Sequence, residues 1–227
     1  MYLIDKDVLF IHIPKTSGKL ITDNMAKNSI KPAYGHLPYK IWKDLYPNIG
    51  ANTKSFTYVR NPFDRMISLY FYGLSLDRYE APQVKRIAPW FSKDDSIDFD
   101  FNKWLEWNYN TNINNLKKIK AVDLKTNEIE MISYFELYFS NQIYLLYDKD
   151  NVLNQNIHII KYEDFCSNNN IIEEYFEKIN LTNYDFRRVV NESKHNHYTS
   201  YYNQESIKLI KKYFEEDLKV FNYKFNN

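Results

Sequence analysis

Short runs of β-forming residues alternate along this chain with segments of helical periodicity, and the alternation limits the folds that the chain can adopt. The β-rich runs lie at 8–13, 55–60, 142–147 and 157–162. Strands that alternate with helices are joined by crossover connections, which place neighbouring strands parallel to one another. The pattern therefore predicts an α/β fold around a largely parallel sheet.

The strongest helical pattern lies near the C-terminal end of the chain, over 204–221. Apolar residues recur there at three- and four-residue spacing, at Ile207, Ile210, Phe214, Leu218 and Phe221. A single apolar face of this kind predicts a helix that packs on the core. A docking surface is the alternative.

A chain of 227 residues is long enough to bury a full core, so we expect one domain over 1–227. The segment 74–141 interrupts the alternation of strands and helices. It contains Pro82, Pro89, Trp90, Trp104 and Trp107. We expect a helical insertion over one edge of the sheet, on the acceptor side, because such insertions often shape a substrate pocket. The alternative is that the aromatic residues only seal the core.

The charge balance points to no large polyanionic partner. The 30 basic residues nearly cancel the 29 acidic ones, so no global field favours nucleic acid or an anionic membrane surface. The N-terminal apolar run is too short for a signal peptide, and no segment approaches the ~18 apolar residues of a membrane helix. The single cysteine, Cys166, suits a reducing compartment. We therefore expect a soluble, cytoplasmic protein with no membrane span.

The stretch "FIHIPKTSGKLI", residues 10–21, combines a strand, a turn and the start of a helix. The phosphate-loop motif G-x-x-x-x-G-K-[ST] would need glycine in place of Ile13 and a hydroxyl in place of Leu20. Even so, the unpaired N–H groups of a helix that begins near Ser17 favour an anion. Lys15 and Lys19 add cationic donors, and Gly18 permits close approach. The alternative is an ordinary solvated turn.

A second strand-to-helix junction lies in "SFTYVRNPFDRMISLYFY", residues 55–72. Asn61 is a favoured N-cap residue and Pro62 a favoured first helical residue, so Arg60 stands immediately before a helix. Ser68 follows two turns later, roughly 10 Å along the axis at ~1.5 Å per residue. One phosphate and the long Arg60 side chain span such a gap. Arg65 is interpreted as a surface partner for an acidic neighbour, Asp64 or Glu80.

"HIPKTSG" followed by "RNPFDRMISLY" resembles the carbohydrate sulfotransferases that use 3′-phosphoadenosine-5′-phosphosulfate (PAPS). The resemblance implies a P-loop-like, three-layer fold with helices flanking a central, mostly parallel sheet. It implies that the 3′-phosphate is held by Arg60 and Ser68. It also implies that the 5′-phosphosulfate is wrapped by Lys15, Thr16, Ser17, Gly18, Lys19 and Leu20.

The resemblance continues more weakly toward the C-terminus. "IIKYEDF" at 159–165 and "SKHNHYTSYYNQES" with the final "FNYKF" are similar to later segments of that family. This similarity implies that Lys194 and Tyr198 close over the nucleotide. One departure is Lys19, because the family usually places threonine or serine after the glycine. An ammonium replaces a hydroxyl donor there, which puts the geometry of the loop in question.

Sulfuryl transfer needs a base for the acceptor hydroxyl and a positive charge at the leaving phosphate oxygen, but it requires no metal. Lys15 leads the loop and is the predicted charge stabiliser. His36, in "YGHLPY", is the predicted base, as the resemblance also implies; its ordinary pKa of ~6.5 leaves it mostly neutral. Glu163 is the alternative base. The other histidines are interpreted as core residues, His12 and His158, or as gate or surface residues, His195 and His197.

Three functions compete on these features. The first is a sulfotransferase that moves sulfate from PAPS to a saccharide hydroxyl and releases 3′-phosphoadenosine-5′-phosphate (PAP). The second is an ATP-dependent small-molecule kinase, which needs a hydroxyl where Leu20 stands. The third is a nucleotide-binding module without catalysis. Nothing in the sequence identifies the acceptor, and fold-level analogy does not select one.

Overall fold

The β-rich runs at 8–13, 55–60 and 157–162 contribute strands to one mixed sheet in the computed structural model, which describes residues 1–33, 35–77, 100–110, 118–123, 127–168, 170–186 and 195–226. In chain order the strands are β1 (Tyr2–Leu3), β2 (Val8–Ile11), β3 (Pro32–Ala33), β4 (Lys54–Val59), β5 (Lys118–Asp123), β6 (Asn127–Ser133) and β7 (Ile157–Lys161). Five of them form one sheet in the order β3-β1-β2-β4-β7, while β5 and β6 form a two-stranded sheet.

The centre of the five-stranded sheet is parallel, as the sequence predicts. β4 pairs in parallel with β2 on one side and with β7 on the other. The short strand β1 is antiparallel to both of its neighbours. The carboxyl ends of β2, β4 and β7 therefore meet at one edge, which is where ligands bind in open α/β sheets.

Nine α-helices are described: α1 (Gly18–Ala26), α2 (Tyr39–Leu45), α3 (Pro62–Asp77), α4 (Phe101–Asn110), α5 (Tyr134–Phe139), α6 (Tyr162–Ser167), α7 (Asn170–Lys178), α8 (Gln204–Tyr213) and α9 (Glu215–Val220). The start of α3 is the predicted one, because the Phe63 N–H donates to Asn61 Oδ1 at 3.1 Å. The predicted helix over 204–221 is confirmed with one interruption, at Phe214 between α8 and α9.

The predicted strand over 142–147 is wrong. Gln142–Leu146 forms a 3₁₀ helix instead. The Gln142 side chain accepts from the Arg60 N–H at 3.0 Å and donates to the Arg60 carbonyl at 2.8 Å. One side-chain amide thus makes the backbone contacts that a neighbouring strand would make.

The chain divides into two compact units, each made of discontinuous segments. The first comprises Met1–Arg60, Lys118–Ile132 and Asn141–Glu192, and the second comprises Asn61–Lys117, Ser133–Ser140 and Ser193–Asn227. The first unit contains the five-stranded sheet, and its core includes Phe10, Ile21, Tyr58 and Phe176. The core of the second unit is helical and includes Phe63, Trp104, Phe139 and Phe214. The expectation of a single domain over 1–227 stays a prediction.

Much of the predicted insertion over 74–141 lies outside the described residues, namely 78–99, 111–117 and 124–126. The described parts include the helices α4 and α5, as predicted. They also include β5 and β6, so the segment is not helical throughout. Trp104, on α4, is fully buried in the helical core of the second unit.

Arg65 is not the surface ion-pair partner that its neighbours in sequence suggested. Its side chain is buried, with 1% exposure. The guanidinium donates to the carbonyls of Leu137 at 3.0 Å and Ser140 at 3.3 Å. These carbonyls lie at the C-terminal end of α5, where helix carbonyls lack intrahelical partners and a cation is favoured. Arg65 therefore caps α5 from within the second unit.

Candidate active site

The turn between β2 and α1 holds two residues in the left-handed backbone region. Lys15 has φ 68° and Ser17 has φ 66°, while Thr16 between them has no positive φ. Residues other than glycine adopt this region at a cost in energy, so such residues concentrate at functional sites. A turn of this kind directs successive backbone N–H groups toward one concavity. The loop is therefore shaped to bind an anion.

Side chains hold this turn from the inside. Thr16 is fully buried, and its hydroxyl donates to the Ile13 carbonyl at 2.8 Å. Leu20 is also buried, and its N–H donates to the Ser17 carbonyl at 3.1 Å. Ser17 occupies the N-cap position, yet among the described residues its hydroxyl makes no capping bond. The Thr16 hydroxyl thus fixes the loop, and the Ser17 hydroxyl is not committed to the helix end.

Arg60 lies beside the Lys15 backbone within the first unit. Only 8% of Arg60 is exposed, and its Nη1 donates to the Lys15 carbonyl at 3.2 Å. Its guanidinium carbon lies 4.3 Å from the ring centroid of Tyr162, a cation–π distance. Burial, and then the neighbouring Arg60 charge, lower the pKa of Lys15 to about 7. Two cationic groups at one edge of the sheet suit an anion that carries more than one charge.

His36 lies between β3 and α2 and contacts the end of β2. Its Nδ1 is 3.1 Å from the His12 carbonyl oxygen. A carbonyl oxygen only accepts, so Nδ1 carries the ring proton and Nε2 keeps its lone pair. Burial lowers the pKa of His36 below 6.5. The ring is therefore neutral near pH 7, with Nε2 able to accept a proton.

Gly18 is required by a contact that the sequence did not indicate. A β-carbon on Gly18 would lie 1.9 Å from Cδ2 and Nε2 of the His12 ring. The same ring lies 4.0 Å, centroid to centroid, from the ring of His36. Burial is the main cause that holds the pKa of His12 well below 6.5. His12 therefore packs as a neutral ring between the first residue of α1 and the predicted base.

The Lys19 side chain lies away from this cluster. Its ammonium binds the Asp23 carboxylate one helical turn along α1, at 2.9 Å, and 60% of the side chain is exposed. Exposed pairs at this spacing contribute only ~0.3–0.5 kcal/mol. The Lys19 ammonium, which the sequence predicts as a replacement for a hydroxyl donor, is thus engaged in a local ion pair. The contribution of Lys19 to the turn is then made by its backbone.

Three further predicted donor-binding residues lie in the second unit or outside the described residues. Ser68 lies on α3 with 6% exposure. Tyr198 is buried, and its hydroxyl accepts the Asn226 N–H at 3.0 Å. Lys194 is outside the described residues. Their participation in one site with Lys15 stays a prediction.

The remaining titratable candidates have varied surroundings. His195 stacks on Phe71 with ring centroids 5.0 Å apart, and His197 Nδ1 lies 2.8 Å from the Thr199 hydroxyl. His158 is exposed on β7 and stacks on Tyr175, so it is not the core residue that was expected. Glu163, the alternative base, is partly buried on α6. Within the first unit, the His12 ring lies against Gly18 of the loop, and His36 contacts His12.

Two features are absent from the described part of the chain. Among them, no group of three or more histidine, cysteine or acidic side chains is arranged to hold a metal ion. Within the same ranges, no helix has the length and apolar character that crossing a bilayer requires.

Sequence comparison adds one finding to this geometry. A family model described as "Sulfotransferase family" matches residues 3–224, nearly the whole chain. No curated protein and no solved structure matches the chain significantly.

Proposed function

The chain belongs to the sulfotransferase family, and from this premise we propose that it transfers the sulfuryl group of PAPS to a hydroxyl of a saccharide or glycan-like acceptor. The observation that carries the proposal is the pairing of Lys15 and Arg60 beside a left-handed turn. The charge of Arg60, the Lys15 ammonium that a neighbouring phosphate stabilises, and the backbone N–H groups of the turn suit a nucleotide with several phosphate charges.

Different groups of residues are assigned to the two ends of the donor. The 5′-phosphosulfate lies against the turn formed by Lys15, Thr16, Ser17, Gly18, Lys19 and Leu20. Arg60 and Ser68 hold the 3′-phosphate, and Lys194 and Tyr198 close over the nucleotide. The burial of Arg60 supports this assignment, because a buried guanidinium retains its charge and binds phosphate strongly.

In the proposed reaction the acceptor oxygen attacks sulfur in line with the bond to the phosphate oxygen. His36 Nε2 takes the proton of the acceptor hydroxyl as the new S–O bond forms. The old S–O bond breaks, and its electron pair stays on the phosphate oxygen of PAP, where Lys15 meets the growing negative charge. The His12 carbonyl supports this role of His36, because it holds the ring in the tautomer that a base needs. No step in this scheme requires a metal.

We extend the proposal to the compartment of the protein and to its domain organisation. We propose a cytoplasmic location, because a chain with a single cysteine, Cys166, forms no internal disulfide and so suits a reducing compartment. We also propose that the two compact units act as one sulfotransferase domain, since the family match spans both.

Calorimetry with PAP and with adenosine 5′-phosphate (AMP), which lacks the 3′-phosphate, tests donor recognition. We expect far tighter binding of PAP, because Arg60 and Ser68 are assigned to that phosphate. Equal affinities would remove the PAPS proposal and return the ATP-dependent kinase as the leading candidate. Incubation with sulfur-labelled PAPS and a panel of saccharides then tests the acceptor class. Labelled product from a small metabolite but from no saccharide would contradict it.

A further inference from the structure

The buried side chain of Gln142 is joined to the backbone of Arg60 by two hydrogen bonds. Gln142 has no exposed surface and begins the 3₁₀ helix Gln142–Leu146. Its Oε1 accepts from the Arg60 N–H at 3.0 Å, and its Nε2 donates to the Arg60 carbonyl at 2.8 Å. The two residues are 82 positions apart in the chain. The contact is therefore tertiary and not a feature of a local turn.

This pair lies where the parallel ladder of the sheet stops. Val59, the last residue of β4, pairs with Lys161, the last residue of β7. Arg60 follows Val59 directly, beyond the last residue pair of that ladder. The planar amide of Gln142 offers the same donor and acceptor as a peptide group. It therefore fixes the backbone of Arg60, and with it the direction in which the arginine side chain leaves the strand end.

The other end of Arg60 is fixed as well. The guanidinium carbon lies over the Tyr162 ring, 4.3 Å from its centroid. An edge of the guanidinium donates to the Lys15 carbonyl at 3.2 Å. Arginine has a long side chain with many rotamers, and ordering it costs conformational entropy. Contacts at both ends reduce that cost before any ligand binds.

We propose that Gln142 is a positioning residue that aims Arg60 at the 3′-phosphate and so sets the discrimination between 3′-phosphorylated and ordinary adenine nucleotides. This inference rests on the proposed function. Gln142 touches no phosphate itself and acts through the Arg60 backbone. Tyr162 contributes at the guanidinium end of the same side chain.

The test compares the ratio of the AMP dissociation constant to the PAP dissociation constant in wild-type protein and Gln142→Leu. The leucine removes both hydrogen bonds to Arg60, and we expect the ratio to fall ~10-fold or more, since small misplacements of a binding group are costly. The loss is expected in PAP affinity, with AMP affinity nearly unchanged. A purely structural role would weaken both nucleotides alike.

Asn24 supplies a matched control in the same unit. It has 2% exposure, accepts from the Asp185 N–H at 2.7 Å and donates to the Asp185 carbonyl at 3.1 Å. Asn24→Leu thus removes the same type of buried amide–backbone pair at a place that does not involve Arg60. We expect it to lower stability but to keep the wild-type nucleotide ratio.

Gln142→Met covers the case in which the leucine variant does not fold. Methionine is close to glutamine in length and volume but has no amide, so it removes both hydrogen bonds to Arg60 with little change in packing, and we expect a fall in the ratio similar to that of the leucine variant. At the other end, Tyr162→Leu removes the ring under the guanidinium, whereas Tyr162→Phe keeps it; only the leucine is expected to lower the ratio.

The outcomes separate the inference from the proposed function. A wild-type ratio near one removes the 3′-phosphate site and the inference with it. A strong wild-type preference for PAP that persists in folded Gln142→Leu or Gln142→Met overturns the role of Gln142 alone and leaves the proposed function standing.

Discussion

Lys15 is expected to take up a proton when the donor nucleotide binds. Burial, and then the Arg60 charge, lower the pKa of Lys15 to about 7, against an ordinary value of 10.5. A phosphate placed beside the ammonium favours its charged form and raises that pKa again. Binding and protonation are therefore linked, and the effect is largest where free Lys15 is neutral and bound Lys15 is charged.

The size of the effect follows from the lowered pKa. At pH 8 about 10% of the free protein carries the Lys15 proton, whereas nearly all of the complex does, so binding takes up ~0.9 proton. At pH 7 the uptake is ~0.5 proton, and at pH 6 it approaches ~0.1. Above pH 7 the affinity for PAP is expected to fall by nearly tenfold for each pH unit. Each unit lowers the fraction of free protein that carries the Lys15 proton by nearly the same factor.

Calorimetry at pH 8 in buffers of different ionisation enthalpy measures the proton uptake directly. That pH is chosen because the second phosphate pKa, ~6, then contributes little. Lys15→Arg is the matched control, since its guanidinium keeps the charge throughout this range and should abolish the uptake. Wild-type protein that binds PAP at pH 8 without proton uptake would refute the assignment of Lys15 to the nucleotide phosphates.

The remaining predictions concern the base, the loop glycine and the capping arginine. His36→Ala should keep PAP binding yet lower turnover by ~10²–10⁴-fold. The wild-type pH–kcat profile should have a lower limb below pH 6.5, because burial lowers the pKa of His36, and the variant should lack that limb. Normal turnover of His36→Ala with the acceptor would move the role of base to Glu163. Gly18→Ala should lower both the unfolding temperature and the PAP affinity, since its β-carbon meets the His12 ring at 1.9 Å; the double variant with His12→Ala should regain stability, and a stable Gly18→Ala single variant would contradict this contact. Arg65→Met should lower the free energy of urea unfolding by about 1–3 kcal/mol, because the carbonyls of Leu137 and Ser140 lose the donors of a buried guanidinium; Asp23→Ala, which breaks only the exposed pair with Lys19, should change it far less.

The strand-to-helix junctions were predictable because their signals are local. The run before Pro14 forms β2, and the run before Arg60 forms β4. Asn61 and Pro62 mark the start of α3 within three residues of sequence. Caps and first-turn residues act on the backbone beside them, so their effect needs no knowledge of the rest of the chain.

The features that the sequence did not predict depend on contacts between distant segments. The run at 142–147 has strand-forming residues, but the pairing of Gln142 with Arg60 is made across 82 positions. Arg65 has acidic neighbours in sequence, yet it binds carbonyls more than 70 positions away. Propensity describes one segment at a time, and tertiary contacts of this kind override it.

Within the candidate site, the sequence indicated which residues to consider but not how they affect one another. From the sequence, His12 is interpreted as a core histidine, and Lys15 as a cationic donor of the loop and the charge stabiliser of the reaction. The lowered pKa of Lys15 comes from burial and from Arg60, neither of which a motif reveals. The ion pair of Lys19 with Asp23 likewise assigns that lysine a different partner from the predicted one.

The contacts of His12 connect donor binding to proton transfer. Its ring occupies the space above Gly18, where α1 begins, and packs against the ring of His36. Its carbonyl also fixes the tautomer of His36. We therefore expect a shift of the first turn of α1 to move the His12 ring. Because the two histidine rings are in contact, Nε2 of His36 should move as well. The loop assigned to the phosphosulfate and the base assigned to the acceptor thus both contact His12, so a substitution at Gly18 should lower turnover as well as donor affinity.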